Sequence, residues 1–168
     1  MHINRIVPLA AGVLVALSGA AQAASPASTT FGVSATVAAN CLVTAAAIPF
    51  GSYDGTAAKS VSKDLKVRCT NGLPYTVKLS AGGGGGFAPR KLANGTDTLE
   101  YNLYKEASFT SVWGDGTAST AVDTGTGAGM SLSKEQTHTI FANLPNSAAN
   151  QDAPAGNYSD TITVEVSY

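Results

Sequence analysis

Charged residues are scarce in this sequence, at 12% of the chain, and ten Lys and Arg nearly balance eleven Asp and Glu. The basic residues are scattered, whereas a nucleic-acid-binding face needs them clustered, so nucleic acid is not an expected partner. Histidine is almost absent, with two residues, and the Gly-x-Ser-x-Gly motif of serine hydrolases does not occur. These absences make an enzyme the weakest of the broad functional classes.

Long apolar runs are also missing, apart from one at residues 6–17. This run follows the basic Arg5 and precedes Ala21-Gln22-Ala23, which has the A-x-A pattern of a signal-peptidase site. We therefore expect residues 1–23 to be a secretory signal peptide. The run is too short to favour a membrane span, so we expect no membrane insertion. Removal of the signal peptide leaves nine basic and eleven acidic residues, a net charge of −2.

Cysteine is limited to two residues, Cys41 and Cys69. In an exported protein an even number of cysteines first indicates a disulfide, and two cysteines allow only one intramolecular pairing. Two buried free thiols are the alternative interpretation. A metal site is less favoured, because no histidine or acidic cluster lies near either cysteine in the sequence. We expect no metal and no cofactor.

Helices of ordinary length are not predicted in the mature chain, which instead contains short stretches of alternating apolar and polar residues. Period-2 alternation of this kind indicates β-strands with one buried face. The predicted strands are residues 31–37, 61–69, 75–81, 99–103, 138–144 and 158–168. Short strands separated by turn signals predict an all-β fold, an antiparallel β-sandwich.

Three features could carry chemistry, and each has a simpler structural interpretation. The five glycines at residues 82–86 lack the helix and Lys-Ser/Thr pair of a phosphate-binding loop, so we expect a flexible turn. His138 is the only histidine outside the leader, and a structural or surface role is favoured over catalysis. Trp113 and the tyrosines could stack on sugars, although aromatic residues of a β-sandwich more often belong to its core or rim.

The two ends of the mature chain carry the clearest strand patterns. Near the N-terminus, the apolar residues of one parity are Phe31, Val33, Ala35 and Val37. At the C-terminus, the corresponding residues are Tyr158, Ile162, Val164, Val166 and Tyr168. The second pattern runs to the last residue, and a strand edge this regular normally needs a partner on both sides.

The order of these features resembles the spore coat protein U family, which includes subunits of archaic (Csu-type) chaperone–usher pili. The resemblance is carried by the alternating arm four residues before Cys41 and by Val-x-Cys at residues 67–69. It continues with Glu-Tyr-Asn-Leu-Tyr-Lys at residues 100–105 and Ala-Gly-Asn-Tyr-Ser-Asp-Thr-Ile-Thr-Val at residues 155–164. The chain then closes on an aromatic residue, Tyr168, so the resemblance covers essentially the whole mature chain.

This resemblance implies an incomplete immunoglobulin-like sandwich at residues 39–168 that lacks its last strand, preceded by a donor-strand extension at residues 24–38. Its donor positions would be Phe31, Val33, Ala35 and Val37. Its acceptor groove would lie along the C-terminal strand. The family's disulfide maps onto Cys41 and Cys69. A periplasmic chaperone would fill the groove first, anchoring the carboxylate of Tyr168. The arm of another copy or a sister pilin would then replace the chaperone, assisted by an outer-membrane usher, which is β-strand addition.

The implied function is that of a structural pilin, exported through the periplasm to a cell-surface fimbrium, supporting adhesion and biofilm formation. The chain is too short for a second, receptor-binding domain, which favours a shaft subunit over a two-domain tip adhesin. The alternatives are a secreted spore-coat or matrix protein with the same fold, a sugar-binding module, and a hydrolase that uses His138.

Overall fold

The computed structural model describes residues 25–168, and the predicted signal peptide lies outside the described residues. The chain divides into two units, residues 1–35 and residues 36–168. Residues 25–40 form neither helix nor strand, so the strand predicted at residues 31–37 does not form in the single chain. A strand requires a partner edge for its backbone, and alternation alone does not supply one.

The second unit is built almost entirely from β-strands. The eight strands are β1 (Cys41–Ala45), β2 (Lys59–Cys69), β3 (Pro74–Leu79), β4 (Arg90–Asn94), β5 (Asp97–Tyr104), β6 (Asp123–Thr126), β7 (Gln136–Leu144) and β8 (Val164–Ser167). A single 3-10 turn (Leu132–Lys134) and one four-residue helix, α1 (Ala148–Gln151), are the helical elements of the described chain. No helix in the described residues is long and apolar enough to cross a membrane.

The strands form two antiparallel sheets that share one core. The first sheet has the order β1-β2-β7-β5-β4, and the second has the order β6-β3-β8. The predicted inward parities are confirmed in the four central strands, whose buried apolar residues are Leu65, Val67, Cys69, Tyr75, Val77, Leu79, Leu99, Tyr101, Leu103, Ile140, Ala142 and Leu144. The prediction of an all-β, immunoglobulin-like antiparallel sandwich is therefore confirmed.

The C-terminal strand is shorter than its pattern predicted, because it changes sheets. Ser159 forms an isolated antiparallel bridge with Ala93 of β4, which is an edge of the first sheet. Val164 instead pairs with Leu79 of β3, in the second sheet. The residues in between cross from one sheet to the other, so regular strand pairing begins only at Val164.

Three strands were not predicted as such, and each is short or polar. β1 is a five-residue strand whose side chains are mostly exposed. β4 and β6 are edge strands of five and four residues, with too few apolar residues to show alternation. The region of residues 114–129, predicted as a polar loop or a pair of short edge strands, contributes one such strand, β6, and the loop after β7 contains α1.

The two cysteines form the predicted disulfide, which joins β1 to β2 at the first pair of their register. The alternative of two free thiols is therefore wrong. The bridge spans a sequence separation of 28 residues. Because a covalent link restricts the unfolded chain, closing such a loop stabilises the fold by roughly 3–4 kcal/mol.

Candidate functional site: an open groove in the sandwich

A long groove opens into the core between the two sheets, with a volume of about 960 Å³. One wall is formed by residues 45–55 and the other by residues 153–164. The floor consists of apolar side chains that belong to the core of the sandwich, among them Leu79, Leu92, Leu99, Tyr101, Leu103, Ile140 and Leu144. Except for the half-buried Leu92, these floor residues are buried, whereas apolar side chains at the rim of the groove, such as Ile48, Phe50 and Tyr158, are only half-buried.

The C-terminal wall carries most of the predicted acceptor residues in the predicted alternation. Tyr158, Ile162 and Val164 line the groove and are half-buried, while the intervening odd-numbered residues are exposed. Val166 is half-buried and packs against the core beyond the groove. Tyr168 follows the end of β8 and is 58% exposed.

Backbone groups that lack a strand partner border the groove. Within the described chain, β8 pairs with β3 on one side only. Residues 46–55 of the opposite wall belong to no strand and make no backbone-to-backbone hydrogen bond among the described residues. An added strand could pair with this free backbone and cover the half-buried apolar side chains beside it.

The predicted donor residues are fully accessible. Phe31 and Val33 are each 86% exposed and Val37 is 83% exposed, and Ala35 is exposed as well. Exposure of three large apolar side chains in one seven-residue segment is unfavourable in water, at about 1.5–3 kcal/mol for each side chain relative to burial. The segment therefore presents an uncovered apolar face to solvent.

A buried arginine that no sequence pattern marks supports the base of the C-terminal wall. Arg90 is fully buried, and its guanidinium donates hydrogen bonds to the carbonyl of Ser80 (2.9 and 3.0 Å), the side chain of Asn102 (2.7 Å) and the carbonyl of Trp113 (2.8 Å). Burial lowers the pKa of Arg90. No pattern in the sequence around Arg90 indicates that this charged residue is buried, so only the structure could reveal its role.

His138 lies at the interface of the two sheets and links them through hydrogen bonds. Its Nε2 lies 2.8 Å from the hydroxyl of Tyr75 on β3, and its Nδ1 lies 2.7 Å from the carboxylate of Asp123 on β6. Lys105 also contacts Asp123, at 3.2 Å. Burial raises the pKa of Asp123, but hydrogen bonds from His138 and Lys105 outweigh it and hold that pKa below its usual value. These hydrogen bonds make His138 a structural bridge between the sheets, and no serine hydroxyl or free thiol of residues 25–168 forms a hydrogen bond with its ring.

Trp113 is fully buried, and its indole nitrogen donates a hydrogen bond to the carbonyl of Val77 at 3.1 Å. It cannot present its ring to a sugar in this fold. The interpretation of Trp113 as a sugar-stacking residue is therefore wrong. Among the described residues, no group of three or more His, Cys, Asp or Glu side chains could hold a metal ion.

Comparison with protein families identifies the fold independently of this geometry. The sequence matches the family model of the Spore Coat Protein U domain over residues 27–165. The chain belongs to the spore coat protein U family. The resemblance predicted from the order of the sequence motifs is thus confirmed. A comparison with curated proteins found no significant match for this spore coat protein U chain.

Solved structures place this spore coat protein U chain among pilus subunit folds. It is similar to a chain in the crystal structure of the CsuC–CsuE chaperone–tip adhesion subunit pre-assembly complex, from archaic chaperone–usher Csu pili of Acinetobacter baumannii. The two share 25% sequence identity with a TM-score of 0.57, and the match covers 79% of this chain and 41% of that chain. The chain therefore spans less than half the length of this structural relative.

Proposed function

We propose that this chain is a structural, non-enzymatic subunit of a chaperone–usher pilus that polymerises by donor-strand complementation. The observation that carries the proposal is the open groove, whose apolar rim residues Phe50, Tyr158 and Ile162 are only half-buried. The groove is bordered by residues 46–55, which belong to no strand, and by a C-terminal wall whose strand β8 pairs on one side only. A strand supplied by another chain would cover the side chains and pair with the backbone at the same time. The occupant we propose is the segment of residues 31–37 from a second copy or a sister pilin.

The chemistry of this segment matches the groove. Its donor residues Phe31, Val33, Ala35 and Val37 are apolar and share one parity, so an extended backbone directs all four to one side. The segment contains no charged residue, and the floor of the groove is apolar. Burying Phe31, Val33 and Val37 would contribute roughly 4–9 kcal/mol before the costs of association are subtracted. Backbone pairing along the groove would add to this contribution.

The same groove suits a chaperone before assembly. The structural relative comes from a chaperone–subunit pre-assembly complex, which supports a periplasmic chaperone as the first occupant here. Tyr168, the residue that the family resemblance assigns to chaperone anchoring, is exposed and so accessible to that chaperone. Delivery to an outer-membrane usher and assembly into an extracellular fimbrium complete the proposal. Adhesion and biofilm formation are the roles such a fibre would serve.

Two neighbouring substitutions in the arm test the proposal. Val33→Asp places a charge on the side that would enter the groove, whereas Ser34→Asp places the same charge on the opposite side. We expect Val33→Asp to abolish polymers, because an unpaired carboxylate cannot be buried without a large free-energy cost. Ser34→Asp should assemble nearly as well as the unmodified chain.

The readout is polymer length by electron microscopy and by denaturing gels of unheated samples. Thermal unfolding of each variant checks that the sandwich is intact. Equal polymerisation by both variants would contradict the proposal, since the parity of the arm would then be irrelevant. Unfolding of the Val33→Asp sandwich would show instead that the arm belongs to its own core. Deletion of residues 24–36 should leave chaperone complexes while removing polymers.

A further inference from the structure

We infer that the glycine run at residues 82–86 is a backbone latch that captures the carboxylate of Asp160, fixing the acceptor wall of the groove and thereby controlling strand capture. The last part of this inference rests on the proposed function, whereas the latch itself does not. The glycine run had been predicted only as a flexible turn, and the proposed function gives it no role.

The contacts of Asp160 show how the latch is built. One carboxylate oxygen accepts hydrogen bonds from the backbone N–H of Gly83 and of Thr161, both at 2.7 Å. The other accepts a hydrogen bond from the hydroxyl of Tyr101 at 2.6 Å. Burial raises the pKa of Tyr101, and its hydrogen bond to Asp160 raises it further, so this hydroxyl stays a protonated donor. Three donors therefore converge on one carboxylate.

Gly82 leaves the space that the carboxylate occupies. A Cβ atom at position 82 would overlap Asp160 Oδ2. The backbone of Gly82 also has a φ of +77°, which strongly favours glycine. Both the space and the backbone conformation thus require glycine, which indicates a shaped cradle for the side chain of Asp160.

The latch acts where the acceptor wall crosses from one sheet to the other. Asp160 lies at the crossing between the bridge of Ser159 to β4 and the pairing of Val164 with β3. Along this crossing, Thr163 exchanges hydrogen bonds with Ser80, at 2.9 Å in each direction. Arg90 in turn holds the carbonyl of Ser80. The root of the glycine run is thereby fixed, and the run can restrain the wall through Asp160.

Restraint of Asp160 affects the groove because alternate residues of the C-terminal wall line it. Tyr158 and Ile162 flank Asp160 at the same parity, and all three line the groove. Releasing Asp160 lets this stretch move, so the groove is in the right shape for only a fraction of the time. The affinity for an incoming strand falls by that same fraction. Loss of a hydrogen bond to a charged group corresponds to a factor on the order of 10 to 100 in the local opening equilibrium.

Two substitutions within the glycine run provide the test. Gly82→Ala introduces the clash with Asp160, whereas Gly85→Ala has nothing within 4 Å of its new Cβ atom. Both glycines have a similar positive φ, +77° and +72°, so the backbone strain is matched. The first measurement is hydrogen exchange of the amides at residues 159–163 in the full mature chain. The second is the rate of polymer growth.

We expect Gly82→Ala to speed exchange at residues 159–163 by about 10- to 100-fold relative to Gly85→Ala, with exchange in β7 unchanged. Polymer growth should slow by a comparable factor. Equal exchange in the two variants would overturn the latch. Faster exchange with unchanged polymer growth would overturn its role in strand capture. If the unmodified chain forms no polymer, the proposed function fails, and the exchange measurement still decides whether the latch exists.

A second pair of variants keeps the test decisive if Gly82→Ala does not fold. Tyr101→Phe removes the hydroxyl donor to Asp160 while keeping the ring that lines the groove. Tyr104→Phe, on the same strand, is the matched control for loss of a tyrosine hydroxyl. Faster exchange at residues 159–163 in Tyr101→Phe alone supports the latch. Indistinguishable exchange in the two variants overturns it.

Discussion

Replacement of Arg90 by methionine tests whether the buried guanidinium organises the acceptor side of the sandwich. Methionine keeps much of the volume but donates no hydrogen bond. The carbonyls of Ser80 and Trp113 and the side-chain oxygen of Asn102 would each lose their guanidinium donor. A buried acceptor left without a partner costs about 1–3 kcal/mol. Removing the buried charge also removes the free-energy cost of its desolvation, which offsets part of this loss. We therefore expect a net destabilisation of about 2–4 kcal/mol.

The effect should be large against the total stability of a single domain, which is typically about 5–15 kcal/mol. Urea unfolding followed by fluorescence is a suitable assay, because Trp113 is the only tryptophan and is fully buried. The measurement is best made in the Val33→Asp background, which we expect to remain monomeric. A loss of this size should lower the urea midpoint by roughly 1–2 M.

The matched control is Lys91→Met, which removes the same charge from the next residue along β4. Lys91 is exposed, so we expect its substitution to change stability by no more than about 0.5 kcal/mol. If the two variants unfold at the same urea concentration, the hydrogen bonds of Arg90 contribute nothing net and the reasoning is refuted. The same conclusion would follow if Arg90→Met were more stable than the unmodified chain.

Two further predictions concern stability. Replacing both Cys41 and Cys69 by serine should lower the free energy of unfolding by roughly 3–4 kcal/mol, measured by urea titration. An unchanged urea midpoint would contradict the entropic account of this bridge. For Asp123, whose pKa is lowered in the folded state, the stabilisation is present above about pH 4 and is lost as the pH falls through that lowered pKa. As the pH falls from about 4 to about 2, the free energy of unfolding should therefore decrease less for Asp123→Asn than for the unmodified chain. Parallel curves of unfolding free energy against pH for the two proteins would refute this.

Alternation in the sequence was sufficient to predict the strands that contact the core on one face. Leu65, Tyr75, Leu103 and Ile140 lie inward as their parity requires, because each belongs to a strand with several apolar residues in register. The same reasoning missed β1 and β4 and gave β6 only as one of two alternatives, because these short edge strands are held by backbone pairing more than by burial. The apolar pattern of the C-terminal strand was correct in parity, although the crossing between sheets shortened the regular strand.

The polar supports of the groove could not be predicted, because they depend on contacts between residues far apart in sequence. Gly83 and Asp160 are 77 positions apart, and Arg90 contacts Trp113 across 23 positions. No local pattern marks a charged side chain that will be buried by its partners. His138 shows the same limit, since its partners Tyr75 and Asp123 come from the opposite sheet. The sequence located the strands, and only the fold brought these polar groups together.

The central claim is that the arm of one copy occupies the groove of another. The most direct measurement places a benzophenone amino acid at position 31, in place of Phe31, in polymers grown from equal amounts of unlabelled and ¹⁵N-labelled chains. After irradiation and digestion, mass spectrometry identifies the cross-linked peptides and the copies from which they came. We predict cross-links between differently labelled copies, to residues 45–55 or 153–164 of the groove walls. Cross-links confined to single copies, or directed to the outer face of the sandwich, would contradict the account.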